Sequence, residues 1–224
     1  MKQQKNWVDV LPELFQSLGQ TAWMVGLSFL ITVILGVLVG VVLRLVAPDG
    51  LRPNQAIHWV VGVVVNLARS LPFLILMIAL LGFTRLIVGT AYGPTAAVVP
   101  LSVGAIPFYA RVVEAALREV DSGKIEAARV MGATIWQIVW KVLLPESLPG
   151  LVAGGTLTLV TLIGYSTMAG AIGGGGIGDL AIRYGYQRFN APVLLMTVTL
   201  LIFVVQIVQS IGDGIVRSMM RRRG

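Results

Sequence analysis

TAWMVGLSFLITVILGVLVGVVLRL, residues 21–45, runs through 25 positions with no charge before Arg44. A helix needs about 20 apolar residues to cross the hydrocarbon core of a bilayer. The stretch is too long for the apolar core of a signal peptide, although Lys2 and Lys5 precede it, and it lacks a small-residue cleavage site. It therefore reads as a retained membrane span. Gly36 and Gly40 within it have the spacing that lets a second helix approach closely, a spacing that chance also supplies in a Gly-rich chain.

The rest of the chain follows the same pattern. Of its 224 residues, 56% are hydrophobic and 12% charged, against about 25% charged in an average soluble domain. Mean hydropathy is +0.86. Four further apolar blocks are read as spans, at 57–81, 92–110, 150–172 and 191–211. Arg69-Ser70-Leu71-Pro72 interrupts the second, because Pro72 donates no backbone hydrogen bond and disfavours helix at the residue before it. Arg69 there, and Arg85 beyond it, read as anchors at the outer interface. Pro94, Pro100 and Pro107 make the third block an irregular one by expectation. Asn190-Ala191-Pro192 supplies a helix N-cap with proline in the first turn ahead of the fifth. The chain is expected to be one all-α integral membrane domain, 1–224, with five transmembrane helices.

The formal charge is +7. Its cations lie between and after the apolar blocks and form no basic stripe on a soluble fold, so nucleic acid is not an expected partner; the lipid bilayer is. Arg44 and Arg52, the segment from Arg111 to Glu146, and the tail with Arg217, Arg221, Arg222 and Arg223 fall on one side of a five-span topology. The positive-inside rule makes that side cytoplasmic, with the N-terminus outside and the C-terminus cytoplasmic.

Several chemistries are set aside. The chain has no cysteine, hence no thiol nucleophile and no Cys-type metal site. Gly173 to Gly178 satisfies the dinucleotide-binding glycine pattern, but a membrane span stands where that fingerprint needs a strand. The glycines instead relax the end of the fourth helix. Gly164-Tyr165-Ser166 lacks the second glycine of a nucleophile elbow, since position 168 is Met168, and the single histidine, His58, belongs to the start of another span. Neither catalytic nor metal-ligating residues are assigned. No phosphate-binding loop of the G-x-x-x-x-G-K-[ST] type occurs, and no acid lies inside a predicted span. Intramembrane carboxylates usually serve ion coupling, so their absence disfavours a secondary transporter. Energy should come from another polypeptide.

The segment 111–146 is the longest polar stretch, and its acids balance its bases. Helix formers fill Glu114–Glu119 and Lys124–Met131, with Asp121-Ser122-Gly123 as a break. The residues alone permit a docking element for another protein or an ordinary interfacial helix. Glu126-Ala127-Ala128, then Gly132, Val142 and Leu144-Pro145 resemble the E-A-A-x3-G-x9-I-x-L-P loop of ABC-importer permeases, departing only in Val142 for Ile. Small alanines beside Glu126 permit close contact with a partner's groove, Gly132 permits a turn, and Leu144-Pro145 is expected to end the element. Longer strings resemble methionine-importer permeases: Arg69 to Phe73, Thr84 to Thr90, Met131 to Thr134, and Gly164 to Gly173. The resemblance implies a type I ABC-importer permease fold in the bacterial inner membrane. It also implies a second copy of the chain, two copies of an ATPase that carries the ATP and Mg, and an external substrate-binding lipoprotein. Glu126, Ala127, Ala128, Gly132, Leu144 and Pro145 would couple to the ATPase, and this chain would bind no cofactor itself. Tyr165, Ser166 and Met168, where the fourth helix loses its simple apolar character, are candidates for the translocation pathway; interhelical packing is the other reading of Met168.

Overall fold

The computed structural model describes residues 10–221, so Lys2, Lys5, Arg222 and Arg223 lie outside the described residues. Every regular element among the described residues is helical. In chain order these are α1 (Leu11–Val46), α2 (Gln55–Ser70), α3 (Phe73–Ala79), α4 (Leu81–Val88), α5 (Pro94–Arg118), α6 (Ser122–Val130) and α7 (Ile135–Ile138). After a π-helical turn, Val139–Leu143, come α8 (Leu144–Ala171) and α9 (Gly176–Leu180). A second π turn, Ala181–Tyr186, leads to α10 (Ala191–Arg221).

Four helical stretches are long and apolar enough to cross a membrane: Leu11–Val46, Pro94–Arg118, Ile135–Ala171 and Ala191–Arg221. The pair α2 and α3 makes a fifth if counted as one broken span, with a bend of 103° at Leu71-Pro72. Pro72 explains the break, since its backbone is extended and it stands directly ahead of α3. α4 follows as a short helix from the last residue of the second apolar block into the interval before the third, where no helix was expected.

The helices outrun the apolar blocks that announce them. α1 begins ten residues before the expected start, and α10 continues ten residues past the expected end, carrying Arg217 and Arg221 on helix. Asn190 caps α10 as expected, its Oδ1 accepting from the Val193 amide at 3.3 Å. The third block corrects the expectation of irregularity, because α5 is continuous through Pro100 and Pro107. Both prolines are buried and lie seven residues apart on one face, where packed neighbours hold the helix despite the lost bonds. α8 likewise passes straight through Pro149, where the fourth span was expected to begin.

The described residues form two compact units. One comprises 10–31, Leu71–Ala105 and Leu159–Ser210; the other comprises Thr32–Ser70, Ile106–Thr158 and 211–221. The core of the first gathers Met24, Phe73, Met77, Leu101, Leu162 and Ala169, with a satellite around Leu14, Leu180 and Val193. The core of the second gathers Val41, Tyr109, Val113, Leu117, Ile138 and Leu143.

Glycines on two helices bring the second unit together around the C-terminal part of α5. A Cβ at Gly40 would lie 2.6 Å from the carbonyl oxygen of Ala110, and one at Gly36 would lie 2.8 Å from the ring of Tyr109. The Gly36/Gly40 pair is therefore a packing surface and not a chance pair. Gly150 of α8 meets Ala116, where a Cβ would come within 3.1 Å.

Candidate functional site

The polar segment folds as a capped hook in the second unit. Its first part is not loop, because Glu114 and Arg118 belong to the last turns of α5. The break falls at 119–121 instead of at Asp121-Ser122-Gly123, since the Asp121 carboxylate accepts from the Gly123 amide at 2.6 Å and caps α6.

The far end of α6 explains the motif's spacing. Gly132 takes a left-handed backbone with φ of 77°. The Gly132 amide donates to the Arg129 carbonyl at 2.9 Å, and the Ala133 amide to the Ala128 carbonyl at 3.0 Å. That pair of bonds is a Schellman motif, in which glycine stands four residues after the carbonyl that takes the longer bond. Ala128 and Gly132 are those two positions. Thr134 then opens α7 with a capping box, Gln137 N–H to Thr134 Oγ1 at 3.3 Å and Thr134 N–H to Gln137 Oε1 at 2.7 Å. One helix is closed and the next opened with no residue left over.

Burial sorts the motif residues. Glu126 and Ala127 are exposed, whereas Ala128 is 6% exposed and sits in the unit's own core. Of the two alanines expected to meet a partner, only Ala127 is presented; the small size of Ala128 lets α6 lie close on its own helices. Val130 and Met131, 87% and 81% exposed, project beside Gly132. Their signal in sequence is an apolar pair at a glycine turn inside an otherwise charged segment; Met131 opens one of the strings that resemble methionine permeases, but neither residue belongs to the E-A-A pattern.

Leu144-Pro145 does not end the element. Helix runs through from Ile135 to Ala171, and the two residues form the first turn of α8. The π turn just ahead, closed by the Leu144 amide on the Val139 carbonyl, widens the coil where Pro145 has no backbone N–H to donate. Glu146, next along, pairs with Lys124 at 2.8 Å and ties α6 to the start of α8.

The three pathway candidates lie in the first unit and do not share one environment. Ser166 is 1% exposed, and its hydroxyl donates to the Ile163 carbonyl of its own helix at 2.7 Å. Tyr165 is partly buried and stacks on Phe73 of α3. Met168 is 41% exposed and lines a predominantly apolar cleft of about 390 Å³ with Leu74, Thr167, Ala171, Ile182 and Leu201. The Gly-rich segment is a turn with positive φ at Gly173, Gly175 and Gly176, held by Gln20 Oε1 and Thr21 Oγ1 accepting from the amides of Gly176 and Ile177 at 2.9 Å each. Those amides are satisfied within the protein.

The described residues thus combine helices long and apolar enough to cross a membrane with a doubly capped polar hook. Residues 32–221 match the family described as binding-protein-dependent transport system inner membrane component. The chain therefore belongs to that family. Over 209 residues it is 51% identical to the probable D-methionine transport system permease protein MetI of Vibrio cholerae, covering 93% of each. Over 180 residues it is 51% identical to the methionine import system permease protein MetP of Bacillus subtilis, covering 80% of this chain and 81% of that one. Its fold superposes on a chain of the MetNI methionine ABC transporter in inward-facing conformations. The TM-score is 0.92 at 47% identity, covering 94% of this chain and 97% of the other. The fold is accordingly that of a type I ABC permease, and the protein is a multi-pass membrane protein.

Proposed function

We propose that this chain is the permease subunit of an ATP-driven methionine importer of the bacterial inner membrane. Two copies form the translocation pathway, and two copies of a separate ATPase, which bind ATP and Mg, supply the energy. An external binding lipoprotein delivers methionine of either or both hands. The observation that carries the reading is the hook around Gly132, whose helix ends are satisfied internally while Glu126, Ala127, Val130 and Met131 remain exposed. Identities near one half to methionine permeases, across most of both chains, support the substrate class.

In this reading the bent pair α2 and α3 counts as one span, giving five. The N-terminus lies outside, and the hook, the 47–54 loop and the C-terminal tail lie in the cytoplasm, as the positive-inside rule requires. Closure of the ATPase pair displaces the hook and switches the pathway between inward-facing and outward-facing states. The chain itself hydrolyses nothing.

The deciding experiment is reconstitution of the permease with its ATPase and binding protein in proteoliposomes. Uptake of labelled methionine that requires ATP and persists with an uncoupler supports the reading. Uptake abolished by the uncoupler while ATP remains identifies a secondary transporter instead.

A further inference from the structure

Three charges line one face of α5 near its end, at positions 111, 114 and 118. Glu114 is 4% exposed. Its Oε2 accepts from Arg111 Nη1 at 2.6 Å, and its Oε1 accepts from Arg118 Nη2 at 3.2 Å. Arg111 then reaches across to α2. Its Nη2 donates to the Gly62 carbonyl at 3.3 Å and to Asn66 Oδ1 at 3.1 Å. Gly62 is buried, and a Cβ there would sit 3.3 Å from Nη2, so glycine keeps the carbonyl within the guanidinium's reach.

Stability alone is a poor reason for this cluster. Burying a carboxylate costs several kcal/mol, and apolar residues of similar volume are often as stable. The neighbouring contacts of α5 are of that cheaper kind, with Gly36 and Gly40 against Tyr109 and Val113 and Gly150 against Ala116. Such contacts are not directional. Charge-assisted hydrogen bonds from a planar guanidinium are, and they fix one register between two helices.

The cluster also stands at the root of the hook. Three residues separate Arg118 from α6, and Lys124–Glu146 fastens α6 on its other side. We infer that Glu114 is a positioning residue of the coupling mechanism: it holds Arg111 on the Gly62 carbonyl, so that α2 moves with the end of α5 when the hook is displaced. This rests on the coupling role proposed above. Without the carboxylate, Arg111 loses its orientation and motion of the hook is lost between α5 and α2.

The test uses the whole complex of permease, ATPase and binding protein in proteoliposomes, and reads methionine imported per ATP hydrolysed, normalised to assembled complex. Glu114→Gln keeps the shape and removes the charge. Arg111→Lys keeps the charge and removes the fork. Gly62→Ala disturbs the far end of the same chain of contacts and, being a single methyl, decides the matter if the first two assemble poorly. Each should continue to hydrolyse ATP while import per ATP falls by at least about fivefold, the lower end of ordinary coupling energies. A ratio equal to the parent's, with both rates falling only as assembled complex falls, would show a merely structural cluster and overturn the inference. A parent complex with no ATP-driven import would instead overturn the proposed function, and the inference with it.

Discussion

The ring of Tyr165 lies flat on the ring of Phe73, with centroids 4.2 Å apart and planes within 1° of parallel. Phe73 is the first residue of α3, directly after the Pro72 break, and it is 6% exposed. The stack therefore joins the residue after the break to a pathway candidate on α8. Phe73→Leu retains most of the apolar burial but removes the ring contact, which is worth about 1 kcal/mol. We expect a modest fall in the thermal midpoint of the purified complex together with altered methionine KM. Tyr165→Phe, which keeps the stack, should leave the midpoint unchanged; a matching fall in both variants would assign the effect to the hydroxyl.

Gly132 has open space where a Cβ would go, yet its φ of 77° disfavours any side chain. Gly132→Ala should weaken the turn by about 1–2 kcal/mol. Gly132→Asp adds a charge at the exposed tip beside Met131. We expect it to uncouple ATP hydrolysis from transport with the membrane bundle intact, seen as normal yield and a thermal midpoint like that of Gly132→Ala but a further reduced import. Import at the parental rate would remove the hook from the coupling role.

Met168 lines the cleft with Thr167 and Leu201 and is partly exposed, so truncation leaves no sealed cavity. Met168→Ala should cost less than about 1 kcal/mol, well below a buried methionine. Its effect should appear in the rate of methionine uptake or in preference between methionine and smaller apolar amino acids. Unchanged kinetics for both would return Met168 to the packing role.

Gly40 and Gly26 lie on the same helix in opposite circumstances. A Cβ on Gly40 would strike the Ala110 carbonyl and Val113, whereas one on Gly26 meets nothing within 4 Å. Gly40→Ala should destabilise by about 1–3 kcal/mol through overpacking. Gly26→Ala should be neutral or slightly stabilising, since alanine is the better helix former. Thermal unfolding of the two complexes distinguishes them, and equal midpoints would contradict the packing assigned to Gly40.

The hook shows what composition and spacing convey and where they stop. The interval from Ala128 to Gly132 was legible because the Schellman turn demands a fixed spacing between a helix carbonyl and a residue free to take positive φ, whereas Glu126 and Ala127 were legible only through the resemblance to the family motif. That interval is local, and local geometry leaves its mark on neighbouring residues. Which alanine faces inward is not local. It depends on the cluster that Ala128 joins, whose members Leu117, Ile138 and Leu143 come from α5, α7 and the π turn.

The same division holds for the membrane helices. Apolar runs of sufficient length determined by themselves that the chain is helical and bilayer-spanning, because lipid offers no partner to an unpaired backbone group. Length in apolar residues does not say where helix ends, so α1, α8 and α10 extend into polar sequence, and Pro100 and Pro107 remain inside α5. Packing decided those points, since a helix continues wherever neighbours stabilise its face. Packing also decided that Glu114 would be buried between two arginines with one of them reaching Gly62. Sequence places that acid in a polar segment; only the approach of α2 to α5 makes it a buried joint.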